Sequence, residues 1–247
     1  NWKANGAGSA NTDGNNPNTV TVSANTTAGF SIIKYQGTDT GGQTIGHGLG
    51  VKPKLFICKN MSEADNWMVW VDTTGNGTAD KRLILNSTAS NYGNYMATFG
   101  TSTITLPSTS DNSWNGNGDN IIGYAFVEKN GFSKFGTFGG NANVDGIFCY
   151  CGFAPTFVMI KNTSNSSSSD WLILDNKRDT FNPRDSHVDA NNNDAESSAS
   201  WVNTDFYSNG FKLRTTDETI NENGNTFVFM AFGQSLVGSN NVPCTAR

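Results

Sequence analysis

The sequence predicts an all-β fold made of two tandem, pseudo-repeated antiparallel β-sandwich modules of jelly-roll type, packed together. Three observations predict it. A stretch near residue 50, GLGVKPKLFICKN (48–60), returns about a hundred residues later as CGFAPTFVMIKN (151–162). Two further pairs keep the same period: GFSIIKY (29–35) with GFSKF (131–135), and GDNIIGYAF (118–126) with GNTFVFMAF (224–232). Between them run many short apolar stretches with turn residues every 8–12 positions, and none keeps a helical period over three turns. Repeats this long are too large for a solenoid, so they read as a pseudo-twofold pair of sandwiches.

Residues 1–28 are polar and rich in Gly, Asn and Thr, which predicts a linker or the end of a preceding domain. The first copy spans residues 29–129. Its strands are predicted at 30–35, 55–58, 67–71, 82–86, 101–106 and 121–127. Turns are predicted at 36–43, 47–53, 72–80 and 112–120, and Pro53 keeps Lys52 out of helical geometry. The second copy spans 130–236 and repeats the order, with strands at 146–151, 156–160, 171–175, 211–213 and 226–232. Its polar excursion, 181–200, leaves room for one short helix. A polar tail, 237–247, ends the chain. Four strands, LFIC, IIGYAFV, TFVMI and TFVFMAF, are apolar on both faces, whereas a simple sandwich strand has one wet face. Their second face requires cover, from the other copy or from another chain.

Composition narrows the function. Only 15% of the 247 residues are charged and the net charge is −5, with no run or stripe of Lys and Arg. That excludes a phosphate-backbone site and an anionic membrane surface as partners. No stretch reaches the ~20 apolar residues of a membrane span. Four cysteines are too few for a disulfide scaffold. Cys149 and Cys151, two apart in an apolar run, point to one face as buried thiols. The first residue is Asn, so a piece of a longer protein is expected.

Candidates for chemistry are few. His47 lies in a turn and His187 in the polar excursion, at unmatched positions, and neither reads as catalytic. No Gly-x-Ser-x-Gly occurs. Glu63, Asp65, Asp72, Glu128 and Asp175 are the carboxylates from which a glycosidase pair would be drawn, although Asp72 and Asp175 end matching strands and read as turn formers. DTTGNGTAD (72–80) resembles a Ca²⁺ loop in which Asp72, Asn76 and Asp80 supply oxygens, but Leu83 stands where the closing Glu belongs. No other cofactor is expected. Trp67 and Trp171, matched across the repeat, read as core. Unmatched aromatics on polar loops are the better ligand contacts: Tyr92, Tyr95, Trp114, Trp201 and Tyr207.

GFSIIKYQGT…IGHGLGVKPKLFICKN, the isolated Trp strand, NGFKLRTTDETINENGNTFVFMAF and the closing VPCTAR together resemble an uncharacterised domain at the C-termini of tail-fibre-type proteins of tailed bacteriophages, marine and cyanobacterial phages among them. The opening NWKANGAG…NTDG resembles the end of a lectin-like domain. The resemblance covers about residues 29–247. It implies a virion protein that contacts the host surface, through a glycan or another receptor, and a homo-oligomer, with a trimer favoured. It assigns no catalytic residue. A purely structural fibre-packing or capsid-decorating module and a polysaccharide depolymerase remain the alternatives.

Overall fold

The computed structural model describes residues 3–109, 111–165 and 169–234. Trp2, Cys244 and the predicted tail 237–247 lie outside the described residues. The chain divides into two compact units, the first Asn1–Asn86 with Asn91–Glu128, the second Ser87–Ser90 with Lys129–Arg247. Each is an antiparallel β-sandwich.

The first unit contains β1 (Ser9–Asn11), β2 (Val20–Asn25), β3 (Phe30–Gln36), β4 (Thr44–Gly46), β5 (Leu55–Asn60), β6 (Trp67–Val71), β7 (Lys81–Ile84), β8 (Thr98–Phe99), β9 (Thr103–Thr105), the one-turn helix α1 (Asn112–Asn115) and β10 (Asn120–Phe126). Its large sheet runs β1-β2-β3-β10-β5-β6-β7, and a three-stranded sheet runs β4-β9-β8. Between them lie Ile33, Tyr35, Phe56, Cys58, Met68 and Trp70 from the large sheet and Ile45, Phe99 and Ile104 from the small one, all buried.

The second unit contains β11 (Ser133–Gly139), β12 (Phe148–Tyr150), β13 (Pro155–Asn162), β14 (Leu172–Asp175), β15 (Ser186–Asp189), β16 (Ser197–Ser198), β17 (Thr204–Tyr207), β18 (Gly210–Leu213), the one-turn helix α2 (Glu218–Asn221) and β19 (Thr226–Gly233). Its large sheet is β11-β19-β13-β14-β15-β16 and its small sheet β12-β18-β17. The run β3-β10-β5-β6-β7 thus has the same connectivity as β11-β19-β13-β14-β15, and β4-β9-β8 the same as β12-β18-β17. The two Lys-Asn stretches of the sequence end β5 and β13, in matching places.

The doubly apolar strands are the inner strands of the large sheets. Their second faces are buried as well, at Leu55 and Phe126 in the first unit and Val228 and Met230 in the second.

Two expectations are corrected. Residues 1–28 are not only linker: β2 pairs along β3 and β1 along β2. Val20 and Val22 are buried while Thr21 between them is less so, the alternation of a half-buried strand. The excursion 181–200 holds no helix in its interior. It forms β15 and β16, because His187, Val188 and Asp189 pair along β14 while Ser186 and His187 pair with β16. A short 3₁₀ turn begins only at its end, Ser200–Val202.

Each one-turn helix is too short to hold itself and is tied down by buried asparagines. Asn60, fully buried at the end of β5, accepts from the backbone N–H of Ser62 (2.8 Å) and Glu63 (3.1 Å). Its amide donates to Asn112 O (2.7 Å) and Asp119 Oδ2 (2.8 Å). Asn115, at the end of α1, accepts from Thr38 N–H and donates to Thr40 O. In the second unit Asn162 accepts from Ser164 and Asn165. Asn221 accepts from Asn141 N–H and donates to Thr215 O. Asp111 and Asp217 cap the two helices. A Cβ on Gly37 would stand 2.2 Å from Gly116 O, so only glycine lets β3 exit past the helix.

Asn60→Ala orphans these buried donors and acceptors and is expected to cost about 2–4 kcal/mol in denaturant unfolding. Gly37→Ala is expected to destabilise comparably through the backbone clash. A loss under about 0.5 kcal/mol for either would remove the helix tether as a stabilising feature.

Candidate functional site

The sequence-predicted residues fall in two groups, one in each unit. In the first unit three of them meet around one cation. Arg82 on β7 points inward and is buried. Its guanidinium lies over Tyr92 (4.7 Å to the ring centre), Tyr95 (5.2 Å) and Trp114 (5.9 Å). Cations are drawn to ring faces by the aromatic quadrupole. The loop between β7 and β8 is pinned at its polar atoms as well. Arg82 Nη2 donates to Asn94 Oδ1 (2.8 Å), Arg82 N–H to Asn91 Oδ1 (2.8 Å), and Trp70 Nε1 to Tyr95 O (2.9 Å). Tyr95 holds a positive φ of 54°, uncommon for a residue with a side chain. Burial lowers the Arg82 pKa while the Asp111 charge opposes the shift.

Tyr92 and Tyr95 remain exposed, at 38% and 42%. Trp114 does not. It is a core residue, packed edge-on against Trp70 at 5.6 Å. Its place in the Asn- and Gly-rich stretch 112–120 made it look like a loop aromatic. The one-turn helix that Asp111 caps instead rolls its ring inward, and Tyr35 donates to its carbonyl at 2.7 Å. Trp201 is likewise no free platform. It packs against the second core and meets His187 edge-to-face at 4.8 Å.

The second group lies on the outer face of the sheet β12-β18-β17. Register places Tyr150, Gly210 and Tyr207 in one cross-strand row, and Phe148, Lys212 and Asp205 in the next. Residues between these rows, Cys149, Phe211 and Phe206, point into the core. Phe148, Tyr150 and Tyr207 are 42%, 65% and 40% exposed, and the Phe148 and Tyr207 rings meet at 6.0 Å. A Cβ on Gly210 would lie 2.1 Å from Cys149 O and 3.0 Å from the Phe148 ring. Glycine therefore leaves a flat floor between the aromatic walls. Phe181 (83% exposed) lies beside this face, because Asn182 exchanges two hydrogen bonds with the backbone of Phe206 on β17.

A charged rim adjoins the aromatics. Lys212 Nζ and Arg214 Nη1 both reach Asp145 Oδ1, at 2.6 and 3.2 Å. Arg214 Nε reaches Asp205 Oδ2 at 3.4 Å, and Tyr207 donates its hydroxyl to the same oxygen at 3.0 Å. Lys212 chiefly, then Arg214, hold the Asp145 carboxyl below its usual range. The hydrogen bond to Asp205 raises the Tyr207 hydroxyl.

Of this second group only Tyr207 was singled out in the sequence. Phe148, Tyr150 and Phe181 were not. The signal for the first two was present: once Cys149 and Cys151 share the inner face, Phe148 and Tyr150 must share the outer one.

The proposed Ca²⁺ ligands are otherwise engaged. The Asp72 carboxylate is buried and accepts from Gly75 N–H (2.6 Å), Gly77 N–H (2.9 Å) and Thr74 Oγ1 (3.0 Å). Asp80 accepts from Thr73 N–H and Oγ1 and from Lys81 Nζ, each at 2.7 Å. Asn76 Oδ1 accepts from Thr78 N–H. These oxygens organise the loop through donors of its own, and among the described residues no group of three or more His, Cys, Asp or Glu is arranged to hold a metal. Asp175 is spent in the same way, on Lys177 N–H and Arg178 N–H. A chelator is expected to leave the melting temperature unchanged. A fall on chelation, restored by Ca²⁺, would overturn that assignment.

Lys161 is the buried titratable group that stands out. It is fully buried and donates to Ser169 O (2.5 Å) and to Thr88 O (2.9 Å), which also belongs to the second unit. Burial pushes its pKa down from 10.5 to about 8, against the attraction of Asp170. The folded value lies below the unfolded one, so the unfolded chain binds more protons between these two values. Stability therefore rises with pH across that window, and below it the full cost of the buried charge is carried. Wild type is expected to gain roughly 3 kcal/mol relative to Lys161→Met between about pH 8 and 10.5. Parallel pH profiles of the two proteins would contradict the shift.

Among the described residues no helix is long and apolar enough to cross a membrane. No curated protein and no solved structure matches the chain. One family does: its description reads "Domain of unknown function (DUF7483)", and its match covers residues 1–235. The chain therefore belongs to the DUF7483 family.

Proposed function

We propose that this chain is a carbohydrate-contacting β module of a fibre-type virion protein, presented to the host surface for attachment. The observation that carries the reading is the outer face of β12-β18-β17, where Phe148, Tyr150 and Tyr207 stand exposed around the floor at Gly210. Exposed aromatics gathered on one sheet face mark an interaction site, whereas scattered ones do not. Tyrosine rings offer an apolar face to sugar C–H groups and a hydroxyl to sugar oxygens. Lys212, Arg214, Asp145 and Asp205 beside them supply donors and acceptors. In the first unit Tyr92 and Tyr95 present a smaller pair, backed by Arg82. The phage-fibre assignment rests on the sequence resemblance. A symmetric homo-oligomer, with a trimer favoured, would multiply weak sites into avid binding.

Binding and not hydrolysis is the proposed activity. The turn aspartates Asp72 and Asp175 are committed to their own loops, and Asp145 is held below the range a general acid needs. A second reading is favoured by Phe181, 83% exposed and next to the Asn182 that is tied to β17, which adds purely apolar surface. On that reading the face packs against a neighbouring subunit of a fibre or capsid and binds no ligand.

The readings separate on a panel of immobilised neutral and acidic oligosaccharides, followed by titration calorimetry. Carbohydrate contact predicts saturable binding that Tyr150→Ala and Tyr207→Ala each weaken about 3–10-fold. Binding to no glycan, together with self-association that Phe181→Ser abolishes, would favour the packing module instead.

A further inference from the structure

The charged rim carries more than general polarity. Lys212 Nζ and Arg214 Nη1 converge on a single carboxylate oxygen, Asp145 Oδ1. The two cations reach Asp145 from one strand and its extension, two residues apart, so they project from the same side as Phe148 and Tyr207. A side chain of the protein itself shows that this fork accepts a carboxylate.

Asp145 is the easily displaced member of the network. Its side chain is 74% exposed, and ion pairs this open contribute little to stability. Its turn does not depend on the carboxylate, because Asp145 N–H donates to Asn143 Oδ1 at 2.8 Å whatever the side chain does. Asp205 is the fixed member. Its side chain is 16% exposed and holds both Tyr207 Oη and Arg214 Nε. When Asp145 swings away, Asp205 still orients Arg214, and Lys212 and Arg214 are left facing an open anion position beside the aromatic row.

We propose that Lys212 and Arg214 form a sugar-carboxylate subsite, and that the ligand of this face is an acidic oligosaccharide of the uronate class whose carboxylate displaces Asp145. The inference rests on the carbohydrate reading above and narrows it to one ligand chemistry. Stacking on Tyr207 and Phe148 places a pyranose ring, and the fork selects the ring that carries a carboxylate. Asp145 then acts as a built-in competitor, setting a threshold that neutral sugars do not feel.

The test uses the whole chain and two matched probes, oligogalacturonate and its fully methyl-esterified form, which share a ring and differ in charge. Calorimetry at low salt is expected to show the acid bound about tenfold tighter than the ester, because charge-assisted hydrogen bonds are the strong ones. That advantage is expected to shrink as salt rises. Asp145→Asn is expected to tighten the acid about threefold, the effect of removing one exposed competing charge, and to leave the ester unchanged. Lys212→Met is expected to bring the acid down toward the ester. Circular dichroism confirms that each variant is folded. Equal binding of acid and ester, with both weakened by Tyr207→Ala, would overturn the carboxylate subsite and leave the carbohydrate face standing. Failure of both probes to bind wild type and Asp145→Asn would overturn the subsite, and a blank across the neutral and acidic panel would remove the carbohydrate face with it.

Discussion

Buried asparagine amides hold each unit together at the end where its chain is least regular. Asn60 closes β5 and, through its donors and acceptors, fastens the turn after β5 to the start of α1 and to Asp119 before β10. Asn115 fastens the other end of α1 to the loop after β3. An apolar side chain in either place would leave several backbone groups dry and unpaired, and a charged one would be buried without a partner. The amide offers two donors and a carbonyl acceptor without charge. Asn162 and Asn221 occupy the matching places in the second unit.

What depends on this tether is the placement of the aromatics. With α1 held down, Trp114 is delivered into the first core, edge-on to Trp70 and behind Arg82. Arg82 then orders Tyr92 and Tyr95 by cation–π attraction, on a loop with no regular structure of its own. In the second unit the platform needs no such loop. It is the outward half of a strand alternation whose inward half, Cys149, Phe211 and Phe206, is core. Sites built on strands are rigid because moving one would unpack the other face. The Lys212, Arg214, Asp145 and Asp205 network is a rim in this sense: it can rearrange while the row beneath it stays in place.

The asymmetry between the two small sheets follows from which residues face out. In β4-β9-β8 the exposed side is short and threonine-rich, as Thr44, Thr103 and Thr105 show. In β12-β18-β17 the same side carries Phe148, Tyr150 and Tyr207. One strand order therefore presents a plain polar face in one unit and an aromatic one in the other. That difference is why the proposed ligand face is assigned to the second unit.

Most strands were legible because period-two alternation and long apolar runs are set by the backbone alone: β3, β5, β6, β10, β13 and β19 announce themselves. The Val20–Asn25 strand was hidden by flanks rich in Asn and Gly, although Val-Thr-Val already alternated. The inward turn of Trp114 was not legible, because a four-residue helix has no period to read. Its direction came from Asp111 capping one end and Asn115 anchoring the other. The meeting of Arg82 with Tyr92 and Tyr95, and of Asp145 with Lys212 and Arg214 nearly seventy residues away, was likewise beyond the linear order. Pattern along the chain determined that this protein is all-β and which strands lie inside. Only the tertiary structure decided which aromatics reach solvent and which charges meet, because sheet register and buried polar ties place residues that sequence distance does not relate.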